Sequence, residues 1–299
     1  MPRKPAKQNS MAPEDEQVAD GASLITDLVL RSPYPLLPTP DEIERIEFQH
    51  SIVSQILGCR FLPSIEHFAI HSRLNILDCG SGAGNWASEI GFALPESTVT
   101  GFDIFDVPCK FQPTNAKFVV ADANDPPLPF ADNTYDIVHS RFLLLGITNW
   151  VRYISELKRL VKPSTGEIHM IEITPPPLRA GDEATKVLRD LFDAGLGQAN
   201  VSMFMAPKLS DYCRTAGLTV THEKMYPFAF GDWPEDPERS RVGGLMLSCS
   251  MEGLDKIVRR LCEKTGCDSK PYISQLPAYL DQTRKPAGEI WYVVAKKLE

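Results

Sequence analysis

The chain has 299 residues, of which 43% are hydrophobic and 23% charged, and it carries a formal net charge of −8. That is ordinary for a globular protein, and long enough for one large domain or two small ones with a sizeable core. The acidic balance argues against a nucleic-acid binder, which shows a basic patch or stripe, and no apolar run approaches the roughly 18 residues that cross a bilayer. Seven cysteines are scattered through the chain, and only Cys262 and Cys267 lie close together, with no histidine nearby to complete a metal set. This predicts reduced thiols, no metal and no disulfide. The basic start, Met1 to Lys7, lacks the apolar core of a secretory signal. The expected location is cytoplasmic, with the nucleus left open.

Residues 1–33 mix Pro, Lys, Gln, Asp and Glu with few apolar residues and read as a disordered tail, with Leu24 to Leu30 a candidate helical turn or docking segment. Prolines stiffen the stretch from 33 to 40. Thr39 or Asp41 then caps a predicted helix over 41–58, with Ile43, Ile46, Val53, Ile56 and Leu57 apolar and with Arg45 and Gln49 on one face. Strands are predicted at 74–79, 98–103, 116–121, 135–139 and 167–173, and helices at 85–94 and 150–160. Three prolines follow Thr174. Helices over 183–194 and 208–216, a strand over 218–225, a surface loop over 231–238, a helical stretch over 237–265 and a closing strand over 290–296 complete the chain. Alternating strands and helices predict an α/β fold, a doubly wound and mostly parallel sheet of about seven strands. Ligands of such sheets sit at the carboxyl ends of the strands.

The densest chemical signal is Asp78-Cys79-Gly80-Ser81-Gly82-Ala83-Gly84, at the end of the first strand. Three alternate glycines permit a tight turn and close approach of a ligand. Gly-x-Gly-x-x-Gly favours a dinucleotide, whereas the spacing here is Gly-x-Gly-x-Gly and an acid leads it. A carboxylate repels a pyrophosphate but suits an ammonium group, and S-adenosylmethionine (SAM) combines an amino acid, a sulfonium and an adenosine. Asp103, at the end of the second strand, offers two acceptor oxygens to ribose hydroxyls. Ile104 and Phe105 would wall the adenine, and Asp122 with Ala123 would meet its edge. Strand-end turns explain either acid alone, but Asp78, Asp103 and Asp122 all fall at strand ends.

Methyl transfer needs alignment and exclusion of water more than acid–base machinery. His139 is the best-placed histidine for a general base, with a structural role as the alternative. His169 and Glu172 should point to opposite faces of one strand. Arg141 suits either a salt bridge or a carboxylate clamp. Trp86, Tyr34, Phe142 and Trp150 are candidates for facing the sulfonium. Met203 to Met205 and Met225 to Phe228 are candidates for an adaptable acceptor pocket. Core packing accounts for each equally well.

The chain resembles the class I SAM-dependent methyltransferases, and within them the fungal group that includes the LaeA-type regulators and many secondary-metabolite methyltransferases. The resemblance rests on Glu44 to His50, Leu77 to Ala87, Gly101 to Ile104, Pro113 to Phe118, Tyr135 to Arg141, Asn149-Trp150, Leu160 to Pro163 and Val293 to Lys297. It implies a Rossmann-like domain over 34–299, with a helical cap at 34–70, a cofactor-binding half at 71–174 and an acceptor-side half at 175–299 whose helical insertions cover the pocket. It also implies that Asp78, Gly80, Gly82 and Gly84, with Cys79 and Ser81 between them, hold the methionine part of SAM. Asp103 would hold the ribose and Asp122 with Ala123 the adenine, and Ile104 and His139 would border the site. Tyr34, Arg45, Gln49 and His50 would close it. Gly-Ser-Gly-Ala-Gly replaces the commoner Gly-Thr-Gly-Thr-Gly, and Lys162-Pro163-Ser164-Thr165-Gly166 replaces the usual Lys-Pro-Gly-Gly turn. The expected activity is methylation of a small molecule on oxygen or nitrogen, with neither nucleic acid nor membrane as partner. The alternative is a LaeA-like regulator acting through protein partners. A dehydrogenase disagrees with the glycine spacing, and a SAM-binding catalyst of another reaction stays open.

Overall fold

The computed structural model describes residues 34–58, 72–106, 109–175, 183–197 and 201–298. The tail over 1–33, including the segment at 24–30, lies outside them, as do parts of the expected cap and of the proline-rich stretch after 175. Seven strands form one sheet: β1 (Asn75–Cys79), β2 (Thr98–Asp103), β3 (Ala116–Val120), β4 (Ile137–Arg141), β5 (Glu167–Thr174), β6 (Thr219–Ala229) and β7 (Ala287–Lys296). Their order is β3-β2-β1-β4-β5-β7-β6. The first five pair in parallel, and β7 runs antiparallel between β5 and β6. The central strands are buried along almost their whole length, as strands covered on both faces must be. The order reverses between β1 and β4, which opens a crevice at their carboxyl ends.

Helix α1 (Pro40–Leu57) starts where the Thr39 side chain accepts from the Glu42 amide at 3.3 Å, with Pro40 in the first turn, and ends at left-handed Gly58. Helices α2 (Asn85–Ala93) and α3 (Trp150–Leu160) cover the sheet; α3 buries Tyr153, Ile154 and Leu157. Helices α4 (Glu183–Gly197) and α5 (Leu209–Thr215) follow β5. The 29-residue α6 (Pro237–Thr265) is capped by Asp236, stops at left-handed Gly266 and packs against α1. No described helix is long and apolar enough to cross a membrane.

Three strands differ from expectation by two residues or more. Of these, β7 starts at Ala287 rather than at 290, and its added residues pair with Pro227 to Ala229 of the lengthened β6. β4 runs from 137 to 141, not from 135 to 139, because Asp136 is engaged by the Asn75 amide at 2.9 Å and by Lys162 Nζ at 2.8 Å, and Tyr135 makes only an isolated bridge to Val161. His139 therefore lies in mid-strand opposite Asp78, and Arg141 takes the strand end. β6 extends past 225 through Pro227 to Ala229, which an edge strand tolerates because a proline there costs no inner ladder bond.

Candidate functional site

All three motif glycines adopt left-handed backbone, with φ of 66° at Gly80, 54° at Gly82 and 77° at Gly84. A Cβ at Gly80 would lie 2.2 Å from Leu143 Cδ2, and one at Gly84 would lie 2.7 Å from Phe118 Cζ. At Gly82 the nearest atom would be 3.7 Å away, so conformation alone selects glycine there. The turn is tied to β2: Ser81 N donates to Phe102 O and Gly82 N donates to Asp103 Oδ2, both at 2.9 Å. Asp103 Oδ1 accepts from Phe105 N at 3.2 Å. Burial raises the Asp103 pKa, and its backbone donors oppose the rise. Ile104 and Ala123 are half-buried, and the Cys79 side chain is wholly buried.

Asp78 is 3% exposed, and its Oδ1 lies 2.8 Å from His139 Nδ1. Burial pushes His139 down to about 4, against the hydrogen bond from Asp78 that raises it. The ring is thus neutral near pH 7. With Nδ1–H donated to the carboxylate, Nε2 is a buried acceptor with no partner among the described residues. Trp86 stacks on this ring at 3.7 Å and 16°, and Trp150 meets Tyr153 edge-on, so both tryptophans pack within the core. Beyond them, Arg141 Nη2 donates to His50 Nδ1 at 2.8 Å. A guanidinium only donates, so the His50 proton sits on Nε2, 3.2 Å from Glu89 Oε2. Asp122 Oδ1 accepts from Asn124 N at 2.8 Å, and Asn124 in turn bonds Gly146 O at 2.7 Å and Thr148 N at 2.9 Å.

On the same side of the sheet lies a cavity of about 130 Å³. Its walls come from Tyr34 and Leu36, from Arg45 and Gln49 of α1, from Phe142, Leu144 and Leu145 after β4, from Ile173 and Pro175, and from Met203, Phe230, Leu280 and α6. Phe142 holds a left-handed φ of 56°, a costly conformation for a bulky residue that turns the chain sharply at the end of β4. Tyr34 stays a protonated donor, since burial and then the charges of Glu42 and Asp103 raise its pKa. Of the methionine candidates, Met203 lines the cavity, whereas Met225 is 39% exposed on edge strand β6. Among the described residues no group of acids, histidines and cysteines could hold a metal.

Sequence reasoning placed Glu172 on its strand but missed what it holds, and it missed Glu42. Glu172, 1% exposed, accepts from Leu143 N at 2.7 Å and Leu144 N at 3.3 Å; burial pushes its pKa up to about 8. It pins the residue that covers Gly80 together with one that walls the cavity. An acid flanked by Ile171 and Ile173 in an apolar strand was the available signal. Glu42 binds Arg45 three positions on, with Oε1 2.6 Å from Nη2.

Residues 52–223, more than half of the chain, match a family model described as a methyltransferase domain. The methyltransferase pytC of Aspergillus terreus is 26% identical over 239 residues, covering 76% of this chain and 70% of its own length. The secondary metabolism regulator LAE1 of Cochliobolus heterostrophus is 25% identical over 194 residues, 62% of either chain. The crystal structure of the [4+2]-cyclase SpnF aligns with a TM-score of 0.50 at 17% identity, over 90% of this chain and 100% of that one, a likeness of fold alone.

Proposed function

The chain belongs to the methyltransferase-domain family, and from that premise we propose that it methylates an oxygen or nitrogen of a small, largely apolar secondary metabolite. It is a SAM-dependent methyltransferase. The residues present fit that cofactor, because the left-handed turn leaves open space at Gly82, where an added Cβ would meet nothing closer than 3.7 Å, beside the Asp103 carboxylate. SAM supplies a methyl carbon made electrophilic by its sulfonium.

The chain's own residues bind and orient. Asp78 and the turn through Gly80, Gly82 and Gly84 take the methionine part, with Cys79 and Ser81 contributing backbone only. Each oxygen of Asp103 keeps a second lone pair beyond its bond from Gly82 or Phe105, and these accept the ribose hydroxyls. Ile104 walls the adenine, Asp122 with Ala123 meets its edge, and Tyr34, Arg45, Gln49 and His50 close the site. His139 serves by fixing Asp78 rather than as a base, since it lies behind Trp86 and outside the cavity lining.

The observation that carries this reading is the shared rim: Leu143 covers Gly80 while Phe142 and Leu144, its neighbours, wall the apolar cavity. Calorimetric titration with SAM tests it, beside Asp103→Asn and an NADH control. SAM binding that weakens about tenfold or more in the variant supports the reading; no SAM binding by the folded protein rejects it. The likeness to LAE1 supports a second reading, a regulator that forms stable protein complexes without turnover. The apolar cavity beside the glycine turn favours the enzyme.

A further inference from the structure

We propose that the cavity takes its acceptor as an oxygen anion, a carboxylate on an apolar body, and that Arg45 holds that anion; this deepens the methyl-transfer reading and rests on it. Among the described residues that line the cavity there is no aspartate, glutamate or histidine, and Arg45 is the one charged side chain of that described lining. The nearest buried acids are already committed. Glu172 holds the amides of Leu143 and Leu144, and Asp78 holds His139. No lining group is therefore placed to remove a proton from an alcohol.

Arg45 is 8% exposed, and its guanidinium has donors to spare. Nε–H and one N–H of Nη2 go to Glu42, at 2.9 and 2.6 Å, and one N–H of Nη1 goes to Cys249 Sγ at 3.6 Å. A guanidinium carries five N–H donors, so each terminal nitrogen keeps one. Glu42 is shared, since Lys256 Nζ reaches its Oε2 at 3.1 Å. Two cations thus surround one buried anion, and the more exposed Glu252 meets Lys256 from the solvent side. Of this network of two cations and two carboxylates, the guanidinium of Arg45 is the member in the cavity lining, and its remaining N–H groups suit an oxygen anion better than an ammonium. The Gln49 amide stands in the same lining.

An ionised carboxylate also solves the missing base. Its oxygen forms the bond to the transferred methyl carbon, and the carbon–sulfur bond breaks with its electron pair kept on sulfur. The products are a methyl ester and a neutral thioether, and no proton is released. An alcohol would have to lose a proton into a lining that offers no acid or histidine among the described residues, whereas a neutral amine needs no base but would become an ammonium beside the Arg45 guanidinium.

Three probes of one shape test this on the full chain loaded with S-adenosylhomocysteine: 3-phenylpropanoate, 3-phenylpropanamide and 3-phenylpropylamine, titrated calorimetrically. The acid is expected to bind about tenfold or more tighter than the amide, with the amine weakest. Arg45→Met should erase that preference, and Arg45→Lys should restore part of it. The wild-type ranking stands on its own if Arg45→Met fails to fold. An amide or amine that equals the acid overturns the inference, and so does an Arg45→Met variant that keeps the acid's advantage. Failure of the folded wild type to bind S-adenosylhomocysteine is a separate result, which rejects the methyl-transfer reading and this inference with it.

Discussion

The turn after β1 draws on seven consecutive residues, Asp78 to Gly84, held mostly by backbone geometry and by amides donated across to β2. The neighbouring cavity gathers side chains from Tyr34 to Leu280. Arg45 and Cys249, which meet across it, are 204 positions apart. The first region allows little variation, because left-handed backbone selects glycine at three positions and an added Cβ would clash at Gly80 and Gly84, whereas the second can change its lining one side chain at a time. A fold that keeps its cofactor turn and trades its cavity residues changes acceptor without losing chemistry.

Gly80→Ala is the most direct attempt to break that contrast. Positive φ and the Leu143 contact together should cost about 2–4 kcal/mol and abolish SAM binding, read by thermal unfolding and calorimetry. A variant that binds SAM normally would show that the turn is not so constrained. His139→Leu comes next: it leaves the buried Asp78 carboxylate without its partner and should cost about 2–4 kcal/mol in urea unfolding. If His139 were instead a base, turnover would collapse while stability held.

Glu172 joins the two regions, and its effect has a sign that can be checked. Its raised pKa means that the folded chain holds this proton more tightly than the unfolded chain. Stability from this group is therefore complete below the ordinary carboxyl pKa, falls as pH rises towards about 8, and then levels off. Urea unfolding at about pH 5 and about pH 8 should show the wild type losing about 1–4 kcal/mol more across that window than Glu172→Gln. Equal losses would mean that Glu172 is not the group titrating. The smallest effect belongs to the cavity wall: Leu144→Ala should cost about 1–2 kcal/mol, leave SAM affinity intact and raise KM for the acceptor. Weakened SAM binding in that variant would blur the division.

What was legible in the chain follows the same division. The glycine turn, the strand that precedes it and Asp103 are contiguous or lie at a fixed distance, so their spacing carries the signal. The fourth strand was placed two residues early because the side-chain engagement of Asp136 by Asn75 and Lys162 is tertiary and has no local mark. Trp86 looked like a ring for a cation, yet which face of α2 it occupies depends on β4, whose His139 it stacks against. Phe142 was singled out for its ring, while its left-handed backbone, which no residue type signals, is what turns the chain there. The cavity could not be assembled from spacing, since α1 and α6 meet only in the folded chain.

The most direct test of the central claim is the crystal structure of the complex with S-adenosylhomocysteine. The account expects the amino-acid end at Gly80 to Gly84, the ribose hydroxyls on Asp103, and the sulfur towards the cavity rim at Tyr34 and Phe142, with the cavity left for an acceptor. A nucleoside lying within the cavity itself, against Arg45 and α6, would contradict it.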